Sequence, residues 1–485
     1  MPAYHIWTEG CQMNVADSAK LAAGLGLLGY EPVSRPQEAD LVVVNTCVVR
    51  QAAEDRALSK LGELKRLKAC RPHLKIAVMG CMVGPRTEEL CRRFPFVDLF
   101  TQPQSFDPIL RMLTPQEGAS AEPEAEDLGG EFWPQVFQEP AGVTAYLPVI
   151  HGCDKFCTYC IVPYRRGRER SRPTDEIVRE VEHLAGRGAR EVTLLGQTVE
   201  AYGRDLTGHP DLGDLMAAIH NTPGLLRIRF LTSYPKDMTE RIIATAARLP
   251  KVCQHINIPV QSGDNSVLQR MRRGYTVEEY KEKVALIRHY MPGAAISSDV
   301  IVGFCGETEA EFRNTYKLLE ELSFDKVHVA AYSPRAGTIA WRTLTDDVPR
   351  EVKHQRLLAI EELEERVSRQ KNEALLGIVQ EVLVEGSKDG RLFGRTPTGK
   401  IVHFLTEFAF DRPAGPVGVA GPRKLADSAR PGDLVLVRIE KAGSWSLQGS
   451  IELGEPVPSH QGAAGRPRLR AQPPGQRRIK QGGVA

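Results

Sequence analysis

Ala145-Tyr-Leu-Pro-Val-Ile150-His-Gly-Cys153-Asp-Lys-Phe-Cys157-Thr-Tyr-Cys160 runs a short apolar strand straight into three cysteines spaced CxxxCxxC. A strand that empties into a ligand-bearing loop is the pattern of parallel α/β folds, whose sites lie at the carboxyl ends of the strands. Four cysteines ordinarily hold a 4Fe–4S cluster, so three leave one iron without a protein ligand and open to chelate a substrate. Two other readings stay open on these residues alone. One is zinc with His151 as a fourth ligand, although structural zinc sites usually pair ligands from two separated loops. The other is a thioredoxin-like Cys157-x-x-Cys160 pair, which leaves Cys153 without a role.

Outward from this motif the alternation of strand and helix continues. Residues 145–150, 191–195, 226–231, 255–260, 295–302 and 326–332 read as strands, with amphipathic helices between them, among them 175–185, 277–289 and 309–322. Six βα units predict a curved parallel sheet, a partial (βα)6 barrel that falls short of a full eight. Upstream, strands at 4–8, 41–45 and 75–79 alternate with helices at 15–28 and about 52–68, which predicts an open parallel βαβ domain. A long charged helix at 350–374 is followed by five short strands, 378–385, 391–395, 400–405, 433–440 and 445–450, which suit a small OB-like β-barrel. The fold class expected is α/β multidomain: an N-terminal domain at 1–114, a Pro/Gly/Glu/Ala-rich linker at 115–142, a central domain at 143–368, a small barrel at 369–453, and a disordered basic tail at 454–485.

The chain has 485 residues, 42% of them hydrophobic and 26% charged, as in a soluble multidomain protein. No apolar run approaches the ~18–20 residues of a membrane span, and Met1-Pro-Ala-Tyr-His-Ile6 lacks the basic head and apolar stretch of a signal peptide. A cytoplasmic chain is expected. There its 10 cysteines point to metal or redox chemistry and not to a disulfide framework. Basic and acidic residues nearly cancel, 63 against 61, but after Glu455 only basic charges remain: Arg466, Arg468, Arg470, Arg477, Arg478 and Lys480.

Cys11, Cys47 and Cys81 lie about 35 residues apart, the length of one βαβ unit, each just past a predicted strand. Neighbouring strand ends share one edge of a parallel sheet, so three thiols can converge there to hold an iron–sulfur cluster or zinc. Alternatively, each is a small buried hydrophobe. Cys70, Cys91, Cys253 and Cys305 have no motif partner and read as non-ligands. Gly24-Leu-Gly-Leu-Leu-Gly29 matches GxGxxG but closes a helix instead of opening one, so it is not a nucleotide fingerprint. Arg165, Arg166, Arg168, Arg170 and Arg172 crowd the loop after the cysteine motif and suit phosphate contact with RNA, or else a solvated surface. Tyr159, Gln197, Gln261 and Asp299 lie at or near strand ends, where they either hold a cofactor or target base or simply cap strands.

The CxxxCxxC loop, with Tyr159 in its aromatic place, resembles the hallmark of the radical SAM superfamily. A closer resemblance, across about residues 3–453, is to the methylthiotransferases. It is carried by Asn45-Thr-Cys-Val-Val-Arg50, Gly80-Cys-Met82, Gly152-Cys-Asp-Lys-Phe-Cys-Thr-Tyr-Cys-Ile-Val-Pro-Tyr164, Arg170-Ser-Arg-Pro173, Ile258-Pro-Val-Gln-Ser-Gly263 and Ser297-Ser-Asp-Val-Ile-Val-Gly303. The resemblance implies two 4Fe–4S clusters and S-adenosyl-L-methionine (SAM). Cys153, Cys157 and Cys160 would hold the cluster that cleaves SAM to a 5′-deoxyadenosyl radical, and Cys11, Cys47 and Cys81 an auxiliary cluster that carries the sulfur. It further implies that Tyr159, Gln197, Gln261 and Asp299 face SAM or the target base, and that the terminal barrel is a TRAM domain. The partners implied are a tRNA substrate, an electron-donor protein and sulfur- or cluster-supply proteins, with the enzyme a monomer.

Val162-Pro-Tyr164, Gly196-Gln-Thr198 and Pro259-Val-Gln-Ser-Gly263 look most like the branch that modifies carbon 2 of isopentenylated adenosine beside the tRNA anticodon. Departures are Thr198 for the usual Asn, Val83-Gly84 for Ala-Gln, and Cys305 for Pro. The competing enzyme readings take threonylcarbamoyl-adenosine in tRNA or an aspartate of a ribosomal protein. The competing class is an RNA-binding protein with structural metal clusters.

Overall fold

Leu41-Val-Val-Val-Asn-Thr46 is buried at every position, as expected of a central parallel strand covered on both faces. In the computed structural model, which describes residues 1–48, 51–113, 142–405 and 429–452, this run is β3 of a five-stranded parallel sheet. The sheet also holds β1 (Ala3–Thr8), β2 (Glu31–Pro32), β4 (Lys75–Gly80) and β5 (Leu99–Thr101), in the order β2-β1-β3-β4-β5. Side chains alternate between the faces. Leu41, Val43, Ala77 and Met79 pack with Leu21 and Leu25 of α1 (Gln12–Leu27), while Val42, Val44, Ile76 and Val78 pack with Ala57, Leu61 and Leu64 of α2 (Gln51–Cys70). Gly29 lies past the end of α1, so Gly24–Gly29 closes that helix as expected. The linker at 115–142, apart from Gly142, and the basic tail at 454–485 lie outside the described residues.

The central part contains six parallel strands in chain order: β6 (Thr144–Pro148), β9 (Glu191–Leu195), β10 (Arg227–Leu231), β11 (His255–Asn257), β12 (Ala295–Val302) and β13 (Lys326–Ala331). A two-residue hairpin, β7 (Ile150–His151) with β8 (Arg170–Ser171), brackets the cysteine loop. The expectation of one continuous six-stranded sheet needs correction. Hydrogen bonding divides the strands into two sheets, β10-β9-β6 and β11-β12-β13. Between them the described residues show an isolated bridge, Ile228 with Val252. The physical reason is that β11 is only three residues long. It yields to Pro259, which has no N–H to give to a ladder. One large apolar core nevertheless spans both sheets, from Leu147 and Leu194 to Ile296 and Val300.

The long helix Arg350–Glu373 leads to β14 (Val379–Lys388), β15 (Arg391–Arg395), β16 (Ile401–Leu405), β17 (Leu434–Ala442) and β18 (Leu447–Ile451). These close into a barrel in the order β14-β15-β16-β18-β17 around Val382, Val402, Phe404 and Val437. The barrel docks on the amino ends of the central strands. Arg227, which opens β10, reaches Glu381 at 2.8 Å and the Arg395 carbonyl at 2.5 Å. Arg229 holds Glu191 at 2.8 Å and the Thr396 carbonyl at 2.8 Å. Lys400 meets Asp325 at 3.3 Å. No described helix is long and apolar enough to cross a membrane.

Candidate functional site

Cys11, Cys47 and Cys81 follow the ends of β1, β3 and β4, three adjacent parallel strands, and so share one edge of the sheet. Gly10 adopts φ +142°, and a Cβ there would stand 2.6 Å from the Cβ of Cys47; only glycine lets the backbone before Cys11 press against that thiol's residue. The Cys81 N–H donates to the Thr46 carbonyl at 2.8 Å. A buried amide clasp fixes the edge: Asn14 Nδ2 donates to Asn45 Oδ1 at 2.8 Å, and Asn45 Nδ2 donates to the Asn14 carbonyl at 2.8 Å. Cys11, at the cap of α1, is exposed, while Cys47 and Cys81 are buried. Burial pushes the Cys81 thiol up.

The second trio sits on the loop between β7 and β8. Gly152, at φ +73°, starts the loop's curl, and a Cβ there would lie 1.9 Å from the Arg168 carbonyl oxygen. Phe156 continues it in the left-handed region at φ +48°. Thr158 clamps the loop: its N–H donates to the Met271 carbonyl at 3.0 Å and its hydroxyl to the Arg270 carbonyl at 2.9 Å. Cys153 Sγ lies 3.6 Å from Thr198 Oγ1, and Cys157 Sγ accepts from Arg273 Nη1 at 3.4 Å. Burial raises the Cys153 thiol and, with Cys157 alongside, pushes Cys160 up to about 12. Such thiols keep their protons until a metal takes the protons' place. Among the described residues, no three His, Cys, Asp or Glu side chains stand in the arrangement that grips a single metal ion. An all-thiol donor set with a guanidinium N–H aimed at one sulfur suits an iron–sulfur cluster, whose sulfurs are tuned by such hydrogen bonds.

The remaining expected residues divide. Tyr159 packs edge-on against Phe304 and is tied to Arg273 Nη1 at 3.4 Å. Gln197 presents a buried Oε1 with no hydrogen-bond partner among the described residues, an acceptor waiting for a ligand's donor. Gln261 is held in the left-handed region at φ +70°, with its N–H on the Asp299 carbonyl at 2.8 Å. Asp299 lies inside β12, three residues before its end, and its carboxylate accepts from Asn257 Nδ2 at 3.0 Å.

The arginine loop is corrected in part. Arg166 and Arg172 are not surface cations: their side chains are 2% and 6% exposed and pair with Asp17 and with Glu176 and Glu180, respectively. Buried inside the fold, these two guanidinium groups are out of reach of an RNA phosphate. Arg165 is half-buried, Arg168 pairs with Asp154 at the surface, and Arg170 is exposed.

Sequence reading passed over Arg273 and Glu200. Arg273 is buried, with Nε on Tyr275 Oη at 2.8 Å and its plane 4.7 Å from the Tyr234 ring centre. Burial works against its charge, but Tyr159, Tyr275 and Cys157 hold it above its ordinary value. Glu200 accepts from the Tyr234 N–H at 3.1 Å, and burial pushes its carboxyl up to about 7. The signal for Arg273 was faint: an Arg-Arg-Gly-Tyr run after a helix.

Helix α1 joins the two thiol sites. Met13 and Ala16 of α1 pack on Leu195, Tyr146 and Leu231, so the end of the helix capped by Cys11 lies over the carboxyl ends of β9 and β10. Arg335 braces the pair by reaching Gln51 at 2.9 Å and Glu54 at 3.0 Å on α2.

Residues 147–319 match the family model described as the radical SAM superfamily. Residues 3–102 match one described as uncharacterized protein family UPF0004. Three relatives are named tRNA-2-methylthio-N(6)-dimethylallyladenosine synthase. The chain is 43% identical over 452 residues to that of Roseiflexus sp. (strain RS-1), covering 92% of this chain and 89% of the relative. It is 43% identical over 458 residues to that of Chloroflexus aurantiacus, covering 94% and 92%. The third, from Dehalococcoides mccartyi (strain CBDB1), is 42% identical over 453 residues, covering 93% and 99%.

Proposed function

The chain belongs to the radical SAM tRNA methylthiotransferases, the family of these relatives, and from that premise we propose that it inserts a methylthio group at carbon 2 of isopentenylated adenosine beside the anticodon. The observation that carries this reading is the packing of α1, capped by Cys11, on the carboxyl ends of β9 and β10, the edge from which the second cysteine loop leaves. Cys153, Cys157 and Cys160 would hold the SAM-binding 4Fe–4S cluster, and Cys11, Cys47 and Cys81 a second one. When bound, these groups and SAM supply what acid–base side chains lack: a radical able to take hydrogen from an unactivated C–H bond, and a sulfur to replace it. The chain's own residues orient and shield. Arg273 donates to Cys157 and fixes Tyr159, Thr198 faces Cys153, and the unpartnered Gln197 oxygen meets a donor of SAM or of the base.

Three domains, at 1–114, 143–368 and 369–453, fit this work, with the six central strands as a partial barrel and the closed C-terminal barrel as an OB-like TRAM domain for RNA. Of the arginine loop, Arg168 and Arg170 stay at the surface, where RNA phosphate would have to compete for Arg168 with its Asp154 partner. Because the cysteines act as thiolates, a reducing cytoplasm suits the enzyme; the reading also takes it as a monomer, with electron-donor and sulfur-supply proteins as partners.

The test is mass spectrometry of nucleosides after anaerobic incubation of reconstituted protein with SAM, reductant, sulfide and isopentenylated tRNA. Methylthio-adenosine is expected. Replacing Cys153, Cys157 or Cys160 should abolish 5′-deoxyadenosine release. Replacing Cys11, Cys47 or Cys81 should spare it and stop sulfur insertion. Radical release without product from isopentenylated tRNA would redirect the substrate to threonylcarbamoyl-adenosine or a ribosomal-protein aspartate.

A further inference from the structure

Arg166 comes from the loop just after Cys160 yet ends beside the other cysteine trio. Its side chain is 2% exposed, and Nη2 donates at 3.0 Å to Oδ2 of Asp17, which is fully buried on α1. A guanidinium that served only as counter-ion would grip the carboxylate with both prongs of its fork. Here Asp17 Oδ1 and Arg166 Nη1 are both buried without a hydrogen-bond partner among the described residues. Instead the guanidinium lies against Cys81, where its charge opposes the effect of burial on that thiol, and Cys11 is the next thiol its charge acts on. Arg165 enters the same cleft. Its Nη1 would stand 1.9 Å from a Cβ at position 84, so Gly84, three residues past Cys81, makes room for it.

Beyond Asp17 Oδ2 and the weakly accepting Cys81 thiol, this buried cation has no acceptor, a costly state unless an anion completes it. The chemistry that fits is a soft, anionic sulfur held at the Cys11–Cys47–Cys81 edge. We infer that Arg166 is a sulfur-positioning residue: Nη1 donates to the sulfur carried at that edge, and Asp17 aims it. Because Arg166 is anchored six residues after Cys160, the same contact sets the sulfur's position relative to the radical site. The inference rests on the reading that the N-terminal trio holds a second cluster.

The test uses full-length reconstituted protein. In Arg166→Met, the ratio of 5′-deoxyadenosine released to methylthio-adenosine formed should rise at least tenfold. In a Cys153→Ala/Cys157→Ala/Cys160→Ala chain, which keeps only the N-terminal cluster, adding Arg166→Met should move the cluster's reduction potential to more negative values and change its EPR signal. Arg166→Met alone strands the Asp17 charge, so Asp17→Leu/Arg166→Met separates folding from function. That double variant should regain thermal stability while keeping the raised ratio. A wild-type ratio with an unmoved potential in the double variant would show Arg166 to be only a structural anchor, and would overturn the inference while leaving the second cluster intact. A triple-alanine chain that binds no iron would instead sink the second-cluster reading and this inference with it.

Discussion

One guanidinium, that of Arg273, contacts Cys157, Tyr159, Tyr275 and the Pro259 carbonyl together. Its fork geometry is the reason lysine cannot replace it. Arg273→Lys should therefore lower the rate of 5′-deoxyadenosine release by about 10–100-fold, as losses around metal ligands do, with total iron content unchanged; anaerobic turnover and iron analysis check both. Glu200 yields a pH dependence. Its native carboxyl holds its proton up to about 7, against an ordinary value of 4.5, so the native state binds more protons than the unfolded chain between those values. Its contribution to stability is therefore lost as pH rises from about 4.5 to 7 and is flat above. Glu200→Gln should match the parent at pH 4 and exceed it at pH 8 by up to about 3 kcal/mol, measured by denaturant unfolding of the metal-free chain. At this scale the sequence announced the cysteines through their spacing. Arg273 lay hidden because it stands 116 residues from the sulfur it touches, and no local pattern records such an approach.

The cysteine loop between β7 and β8 works as an element because its backbone takes conformations most residues resist. Gly152→Ala would combine left-handed backbone, costing about 1–2 kcal/mol, with a Cβ 1.9 Å from the Arg168 oxygen. The loop should then fail to hold its cluster and SAM cleavage should vanish; on the proposal that the N-terminal trio holds a second cluster, iron content per chain should fall by about half. The main strands were legible because Val-rich runs between amphipathic helices read the same way in sequence and in space, as in β3 and β12. The edge strands β2 and β5, two and three residues long, carry no periodicity to detect. The lapse between β10 and β11 was invisible too, since sheet continuity depends on how far strands overlap and not on whether each exists.

Across the whole molecule, charge fixes the barrel to the central strands. Arg227, nearly buried, bonds a half-exposed Glu381 and a backbone carbonyl. Arg227→Met should loosen the docking without reaching the cysteines. The expected result is faster proteolysis at the barrel junction and a several-fold higher KM for tRNA, with 5′-deoxyadenosine release unaltered; an unchanged KM would separate the barrel from substrate binding. The barrel sits at the amino ends of strands whose carboxyl ends bear the cysteines, and the eight-residue β12 alone spans about 26 Å between those ends. With the barrel proposed as the grip on RNA, the enzyme is built like a caliper, grip at one jaw and chemistry at the other. On that proposal an RNA too short to bridge the jaws satisfies only one of them, and size joins base identity in deciding which adenosines are modified.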